Sequence, residues 1–313
     1  MSVWLPTSPC TPGACAGHAG STASIPHAVL RLAAATALIL AGVLGAPPLR
    51  LLPARLRHAA VRAWSAALVR AFGVRITVHG GSPGPAGGRL VVANHISWLD
   101  IPLVAAVLPC RMLAKSDIRA WPVLGSLAAR AGTLFIERDR IRALPDTVGS
   151  VTGALLAGDR VTVFPEGSTW CGRAQGTFRR AVFQSALDAR VPVQPIRLTY
   201  LRCDGHTAGE PAFVGDDPLT ASLWRIARAR GVRAEVRLLP RIPPGRHADR
   251  RDLAAAAQTA IAASSHPVPL PGIPTQPAKP SATDKDSAKR PAASVHHWVS
   301  SSPAAASSLR TPS

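Results

Sequence analysis

The chain has 313 residues, of which 47% are apolar and 4% aromatic, so it can bury a sizeable and mostly aliphatic core. Lysine and arginine number 36 against 17 acidic residues, and the formal charge of +19 favours an anionic partner over a cationic one. The five cysteines include no C-x-x-C pair, which argues against a zinc site or a redox pair and for a reducing, cytosol-facing location.

The N-terminal part begins with residues 1–26, whose abundance of proline, glycine, serine and threonine predicts a disordered leader. An uncharged apolar run over 32–46 follows, and a Pro-Pro pair is expected to end its helix. The run is shorter than the roughly 20 residues of a full span, and a signal-peptide core has a similar pattern. Because the leader lacks a basic cluster, we favour a membrane-embedded or re-entrant anchor, with Arg31 and Arg50 snorkelling towards the headgroups.

The next segment, residues 54–72, has apolar residues at helical spacing and several arginines. A basic amphipathic helix of this kind suits a membrane interface. The same apolar face could instead pack on the domain that follows. We therefore predict membrane-anchor and amphipathic helices over residues 27–72.

From residue 73 the pattern alternates between strands and helices, which predicts an α/β domain over 73–264 with a central mixed sheet flanked by helices. The predicted strands are 74–79, 89–94, 133–137, 160–164, 192–200 and 235–239. The predicted helices are 101–108, 118–130, 141–157, 178–189 and 249–263. Residues 265–313 are rich in proline, alanine and serine and are predicted to be a disordered tail.

Polar residues follow the strand in VVANHISWLD, residues 91–100. In open α/β sheets, ligands bind outside the carboxyl ends of strands. With His95 in a turn and Asp100 at or near the N-cap of the next helix, the two side chains can meet there. Taken alone, each residue is better explained by a structural role, His95 as a loop hydrogen bond and Asp100 as a helix cap.

Two further strands end in similar clusters. AGTLFIER (residues 131–138) ends on Glu137 and Arg138, and an arginine at a sheet edge can bind a phosphate with two hydrogen bonds. VTVFPEGSTW (residues 161–170) breaks at Pro165, and the glycine that follows Glu166 allows backbone N–H groups to approach an anion. Helix capping alone does not explain three such strand ends.

These stretches resemble the motif blocks of the glycerolipid acyltransferases, the lysophosphatidate acyltransferase group. NHISWLD matches the N-H-x-x-x-x-D block, GTLFIER and FPEGST resemble the second and third blocks, and VPVQPI resembles the fourth. All four occur in the order of the family over roughly residues 75–200. The Trp-Cys-Gly-Arg segment after FPEGST departs from many members, and SWLDI is shared with a branch that acylates lyso-ornithine lipids.

The resemblance implies catalytic roles for two residues: His95 as the general base for the acceptor hydroxyl and Asp100 as the group that holds the imidazole. The positions that it implies for acceptor binding are Lys115, Arg138, Glu166, Gly167, Ser168 and Thr169. No covalent acyl-enzyme is required by this mechanism, and Cys171, close to the third block, is the one rival nucleophile. We expect no cofactor and no metal, because no second histidine or carboxylate lies at ligand spacing near His95.

The implied reaction is acyl transfer from acyl-CoA or acyl-carrier protein to the sn-2 hydroxyl of 1-acylglycerol 3-phosphate, which gives phosphatidic acid. The alternatives are another lysolipid acceptor, such as lyso-ornithine lipid, and a catalytically inactive membrane-associated lipid-binding protein. The expected partners are a lysophospholipid, the acyl donor and an anionic membrane surface at the cytoplasmic face of the cell membrane.

Two other classes fit the sequence less well. An ester hydrolase would show a G-x-S-x-G nucleophile elbow after a strand, and the chain has none. A nucleic-acid-binding protein would cluster arginines with aromatic residues, whereas the arginines here are dispersed.

Overall fold

The computed structural model of the protein describes residues 7–17, 20–81, 84, 87–137 and 140–264. The strands are β1 (Arg75–Gly80), β2 (Arg89–Ala93), β3 (Arg111–Lys115), β4 (Leu134–Ile136), β5 (Arg160–Val163), β6 (Val193–Leu201) and β7 (Arg233–Leu238). The α-helices are α1 (Pro12–Cys15), α2 (Ile25–Leu49), α3 (Ala54–Ala71), α4 (Asp100–Val107), α5 (Leu124–Arg130), α6 (Leu144–Leu156), α7 (Phe183–Asp188), α8 (Leu219–Arg228) and α9 (Arg250–Ala263). Two short 3₁₀ helices span Ser116–Ala120 and Ile141–Ala143.

All seven strands belong to one sheet with the order β1-β7-β6-β2-β5-β3-β4. The five strands from β6 to β4 are parallel to one another, β7 is antiparallel to β6, and β1 is parallel to β7. This mixed sheet with flanking helices confirms the predicted α/β fold. Because the carboxyl ends of the five parallel strands share one edge, the segments after β2, β3, β4 and β5 all emerge there.

The central strand β2 separates two apolar layers. Leu90 and Val92 face the layer formed with α6, α7 and α9, whereas Val91 and Ala93 face the layer formed with α3 and α4. All five residues of β2 are buried, as expected for a parallel strand covered on both faces. This burial makes β2 a rigid support for the residues that follow it.

Some predicted boundaries were wrong. The helix expected over 118–130 is broken between the first 3₁₀ helix and α5, where Pro122 supplies no N–H and Val123 adopts a φ of 62°. The helix expected over 178–189 begins only at Phe183. Strand β3 and helix α8 were not predicted. β3 has only three apolar residues between charged ends, so its sequence pattern is weak.

Part of the predicted leader packs on the domain. Cys10, Ala16 and Ala23 are buried, and the N–H of Ala23 donates to the carbonyl of Arg228 over 2.7 Å. The prediction of disorder was therefore wrong for residues 7–17 and 20–26, the last two of which begin α2. Composition showed that this segment cannot form its own core, but its small side chains fit closely against the domain. Residues 1–6 and 18–19 and the predicted tail lie outside the described residues.

Helix α2 contains the apolar run and extends one residue beyond the Pro-Pro pair. Within the described part of the chain, it is the helix that is long and apolar enough to cross a membrane. Its arginines do not snorkel: Arg31 donates to the carbonyls of Ala227 and Ala229, and Arg50 donates to that of Arg130. One side of α2 therefore rests on the domain.

The turn between α2 and α3 carries an exposed apolar surface, formed by Leu44, Leu51, Leu52 and Leu56. Further along α3, Leu68 and Val69 are buried against the domain, so its apolar face is divided between solvent and core. Exposed leucines beside basic residues such as Arg55 are typical of a surface that contacts lipid. The apolar helix and this surface, called the leucine turn below, indicate membrane association.

Candidate active site

Asn94 directly follows β2. It pairs with the neighbouring strand β6 through its side chain, where a strand residue would use its backbone. Its Nδ2 donates to the carbonyl of Leu198 over 3.0 Å, and its Oδ1 accepts the N–H of Leu198 over 2.8 Å. The amide thus continues the pairing with β6 while the backbone turns away from the sheet. This turn brings His95 to the carboxyl edge.

His95 and Asp100 lie in direct contact. Nδ1 of His95 is 2.8 Å from Oδ2 of Asp100, which is the first residue of α4. The same oxygen accepts the N–H groups of Ile96 and Ser97 over 2.7 and 2.9 Å. The loop that separates the two residues therefore folds around the carboxylate and fixes its position.

The environment of this pair is asymmetric. The Asp100 side chain is fully buried, whereas the His95 side chain is 17% exposed. A carboxylate accepts hydrogen bonds but does not donate them, so its contact assigns the proton to Nδ1 and leaves the lone pair on Nε2. An imidazole held in this way can accept a proton from a substrate at Nε2.

Tyr200 completes the surroundings of Asp100. Its hydroxyl donates to Oδ1 over 2.7 Å from the buried interior of β6. Burial and the adjacent carboxylate raise the pKa of Tyr200 well above its usual value, so the hydroxyl remains a donor. The sequence analysis missed this residue, although it is the only tyrosine in the chain and the last residue of the strand predicted over 192–200.

Glu166, after β5, is tied to the main chain. Its Oε2 accepts the N–H of His95 over 2.7 Å, and its Oε1 accepts the N–H of Gly176 over 3.0 Å. Burial raises the pKa of Glu166 to about 7, although the two backbone hydrogen bonds oppose this shift. Glu166 therefore joins the loop at His95 to the loop at Gly176 and holds the backbone of His95.

The segment around Glu166 also orients the imidazole. The ring of Phe164 stacks on that of His95 with 4.0 Å between the ring centroids. The N–H of Trp170 donates to the carbonyl of His95 over 2.7 Å. His95 is thus fixed through its ring, its N–H and its carbonyl, which leaves little freedom for the side chain.

The remaining residues of the third motif have different surroundings. Gly167 adopts a φ of 73°, a conformation that favours glycine. The hydroxyl of Thr169 donates to the carbonyl of Phe213. The Oγ of Ser168 is buried and has no hydrogen-bond partner among the described residues. Ser168 is therefore the member of this segment whose hydroxyl could bind a substrate.

The basic candidates lie further along the same edge. Lys115 ends β3 and forms an ion pair with Asp117 over 2.5 Å. Because β5 lies between β2 and β3, Lys115 emerges two strand spacings, or about 10 Å, from the strand that carries His95. Arg138 lies outside the described residues, and Glu137, just before it, is paired with Arg140 over 3.1 Å.

Comparison with known proteins agrees with this geometry. The family model described as Acyltransferase matches residues 75–199. A lyso-ornithine lipid O-acyltransferase from Pseudomonas aeruginosa is 39% identical over 208 residues, which are 66% of this chain and 78% of the relative. A 1-acyl-sn-glycerol-3-phosphate acyltransferase from Neisseria gonorrhoeae is 36% identical over 180 residues, which are 58% of this chain and 70% of the relative.

The fold has a counterpart among solved structures. The crystal structure of the 1-acyl-sn-glycerophosphate acyltransferase from Thermotoga maritima superposes with a TM-score of 0.59 at 16% sequence identity. The match covers 77% of this chain and 93% of that chain. At this level of identity the likeness shows the shared fold.

Proposed function

This chain belongs to the glycerolipid acyltransferase family, and we propose that it transfers a fatty acyl group from acyl-CoA or acyl-carrier protein to the sn-2 hydroxyl of 1-acylglycerol 3-phosphate. The observation that carries this proposal is the contact between His95 and Asp100 at the carboxyl edge of the sheet. The product is phosphatidic acid.

In the proposed reaction, the acceptor hydroxyl binds at Nε2 of His95. As its oxygen attacks the thioester carbonyl of the donor, the proton passes to Nε2 and an O–C bond forms. The C–S bond then breaks, and the imidazolium returns the proton to the departing thiolate. A positioned base contributes about 10²–10⁴-fold to such a step, and alignment of the two substrates supplies much of the rest.

Asp100 acts through the imidazole. Its negative charge stabilises the imidazolium that forms during transfer, and its hydrogen bond keeps the proton on Nδ1 in the resting state. Four donors hold the buried carboxylate, including the Tyr200 hydroxyl. Without them, burying this charge would cost several kcal/mol.

The acceptor phosphate is proposed to bind along the carboxyl edge. Ser168, whose buried hydroxyl has no hydrogen-bond partner in the described part of the chain, and the positive-φ turn at Gly167 support this site on one side. Lys115 supports it on the other. The family resemblance gives Arg138 the role of binding the phosphate. In the sequence it is the second residue after β4. No metal or other cofactor takes part in the proposed transfer.

The lysolipid is proposed to reach the site from the cytoplasmic face of the cell membrane. The leucine turn and the exposed side of α2 support attachment to a bilayer. The formal charge of +19 supports attraction to anionic headgroups. Acyl-CoA and acyl-carrier protein are water-soluble cytoplasmic donors, which supports this face of the membrane over the other.

A second acceptor is lyso-ornithine lipid, which the 39% identity to the Pseudomonas aeruginosa protein favours. The test is a panel of lysolipid acceptors given to the purified protein in detergent with acyl-CoA and with acyl-carrier protein donors. We expect the highest kcat/KM with 1-acylglycerol 3-phosphate. A higher value with lyso-ornithine lipid would transfer the assignment to that acceptor. Binding of lysolipids without any acyl transfer would identify an inactive lipid-binding protein instead.

A further inference from the structure

The packed leader brings two cysteines to a third that lies far along the chain. The sulfur atoms of Cys10, Cys15 and Cys171 all lie within 4.8 Å of one another. Cys10 lies two residues before α1 and Cys15 is the last residue of α1. Cys171 is the second residue after the third motif. The other two cysteines are elsewhere: Cys110 hydrogen-bonds Thr162, and Cys203 is exposed.

The spacing of the three sulfurs suits a metal ion. At about 2.3 Å from each ligand, a tetrahedral zinc ion holds its sulfurs about 3.8 Å apart, so only small shifts would close this cluster around an ion. Cys10 and Cys171 are 7% and 5% exposed, and Cys15 is partly buried. A disulfide would join two of these sulfurs and leave the third beside them, whereas a metal uses all three.

The loop at Cys171 holds the sulfur with backbone donors. The N–H groups of Arg173 and Ala174 donate hydrogen bonds to the sulfur of Cys171. Gly172 has a φ of 82°, which lets the backbone turn so that these N–H groups face the sulfur. These contacts fix the position of the Cys171 sulfur within the cluster of three.

Cys15 in the leader is also held in place. The side chain of Thr11 accepts the N–H of Ala14, and its carbonyl accepts that of Cys15 over 3.0 Å. Gly209 allows the carbonyl of Cys15 to approach, because a Cβ at this glycine would lie 2.6 Å from that oxygen. The position of Cys15 therefore depends on a close contact with the domain as well as on its own helix.

We propose that Cys10, Cys15 and Cys171 form a structural site for a soft cation of the Zn²⁺ and Cu⁺ class, the cations that thiolate ligands select. The site would fasten the leader to the loop after the third motif. Trp170, next to Cys171, donates to the carbonyl of His95, so the metal would also support the catalytic loop. This inference goes beyond the acyl transfer proposed above and does not depend on the acceptor.

The test uses the full chain with a tag that contains no histidine or cysteine, purified in detergent under a non-thiol reductant and stripped with a chelator. Co²⁺ is then titrated as the probe, followed by Zn²⁺ in competition, and Cu⁺ is tested separately against a Cu⁺-specific chelator. We expect one ion per chain, with the thiolate-to-cobalt charge-transfer absorption that Zn²⁺ abolishes, or stoichiometric retention of Cu⁺.

Variants separate the proposed ligands from the other cysteines. C10S, C15S and C171S should each weaken metal binding by more than about tenfold, which is the smallest effect typical of losing an outer-shell partner. C203S, at an exposed cysteine outside the cluster, should bind as the parent chain does. G209A keeps every thiol but displaces Cys15, and we expect it to weaken binding as well. Circular dichroism of each variant checks that the domain remains folded.

Three results would overturn the site. One is a parent chain that shows neither the cobalt charge-transfer absorption nor retention of Cu⁺. Another is equal loss of binding in C203S and C171S. The third is a disulfide within the cluster, detected by alkylation and mass spectrometry of protein purified without reductant, combined with no metal bound after reduction. The first and third are measured on the parent chain, so a variant that fails to fold does not leave the question open.

Discussion

The hydroxyl of Tyr200 lies 2.7 Å from Oδ1 of Asp100, on the side of the carboxylate opposite to His95. Hydrogen bonds connect the three side chains in series, from Tyr200 on β6 through Asp100 to His95 at the carboxyl edge of the sheet. The tyrosine does not face the substrate side and serves to hold the aspartate.

Tyr200→Phe removes one donor from a buried carboxylate. Because hydrogen bonds to charged groups contribute about 1.5–3 kcal/mol, we expect the free energy of unfolding to fall by that amount. Denaturant titration of the detergent-solubilised protein measures it. Thr147→Val, which removes a neutral hydrogen bond to the carbonyl of Ala143, should cost about 1 kcal/mol. An equal loss in the free energy of unfolding in both variants would show that the hydrogen bond to Asp100 stabilises the fold no more than a neutral one.

His95→Ala removes the proposed base. We expect kcat to fall by about 10²–10⁴-fold, since this is the usual contribution of a positioned base. Transfer of labelled acyl groups to 1-acylglycerol 3-phosphate gives the rate, and circular dichroism checks the fold. The matched control is His206→Ala, at an exposed histidine in a loop, which should retain the parent rate. Undiminished transfer by the His95 variant would exclude the mechanism.

Asp100→Asn tests charge separately from shape. The amide oxygen can still accept the N–H groups of Ile96 and Ser97, so the loop should keep its form. The imidazolium would lose its negative partner, and we expect kcat to fall by about 10²–10⁴-fold with KM nearly unchanged. Asp146→Asn, at an exposed position in the first turn of α6, is the control. A change confined to KM would contradict this role for Asp100.

Glu166 predicts a pH dependence of stability. Its pKa is raised from 4.5 to about 7 in the folded state, so between these values the folded chain keeps a proton that the unfolded chain has released. The unfolded state is then favoured as pH rises, and stability should fall by up to about 3 kcal/mol between pH 4.5 and pH 7 and change little above it.

The measurement for this residue is a difference between variants. Glu166→Gln cannot ionise, so its stability relative to the parent should improve by up to about 3 kcal/mol across the same pH range. Asp188→Asn, at an exposed carboxylate on α7, should leave the slope of the parent unchanged. Parallel pH profiles for the parent and the Gln variant would contradict the raised pKa of Glu166.

The leucine turn predicts membrane binding. Leu44 and Leu51 are 76% and 87% exposed, and burying a leucine in lipid contributes about 1.5–3 kcal/mol. Leu44→Glu combined with Leu51→Glu should therefore lower partitioning into anionic vesicles at least tenfold in a flotation assay. Leu156→Glu, at a position 67% exposed on α6, should float as the parent does. Equal effects at both places would indicate a loss of fold or charge instead of lost lipid contact.

The sequence predicted the part of the site that is local in the chain. His95 and Asp100 lie within one strand-to-helix connection, so a motif and the geometry of a turn were enough to bring them together. Tyr200 lies 100 residues from Asp100, and only the position of β6 beside β2 brings it there. The cluster of Cys10, Cys15 and Cys171 was missed for the same reason, because its third member comes from a distant loop.

The fold was predicted where apolar runs were strong, as in β2 and β5. It was missed where charge interrupted the pattern, as in β3, whose five residues begin and end with a basic side chain. The break before α5 depends on the backbone of Val123, which propensities do not describe. Contacts made by the leader could not be predicted, since they depend on the surface of a domain already folded.

The side-chain pairing of Asn94 with Leu198 has a consequence for the order of events during synthesis. A nascent chain that has not yet produced β6 already contains His95 and Asp100, but it lacks both the main chain that anchors Asn94 and the hydroxyl that steadies the carboxylate. Most of the domain must therefore be synthesised before the His95 imidazole can reach its catalytic position. A chain truncated before Val193 should be inactive in acyl transfer.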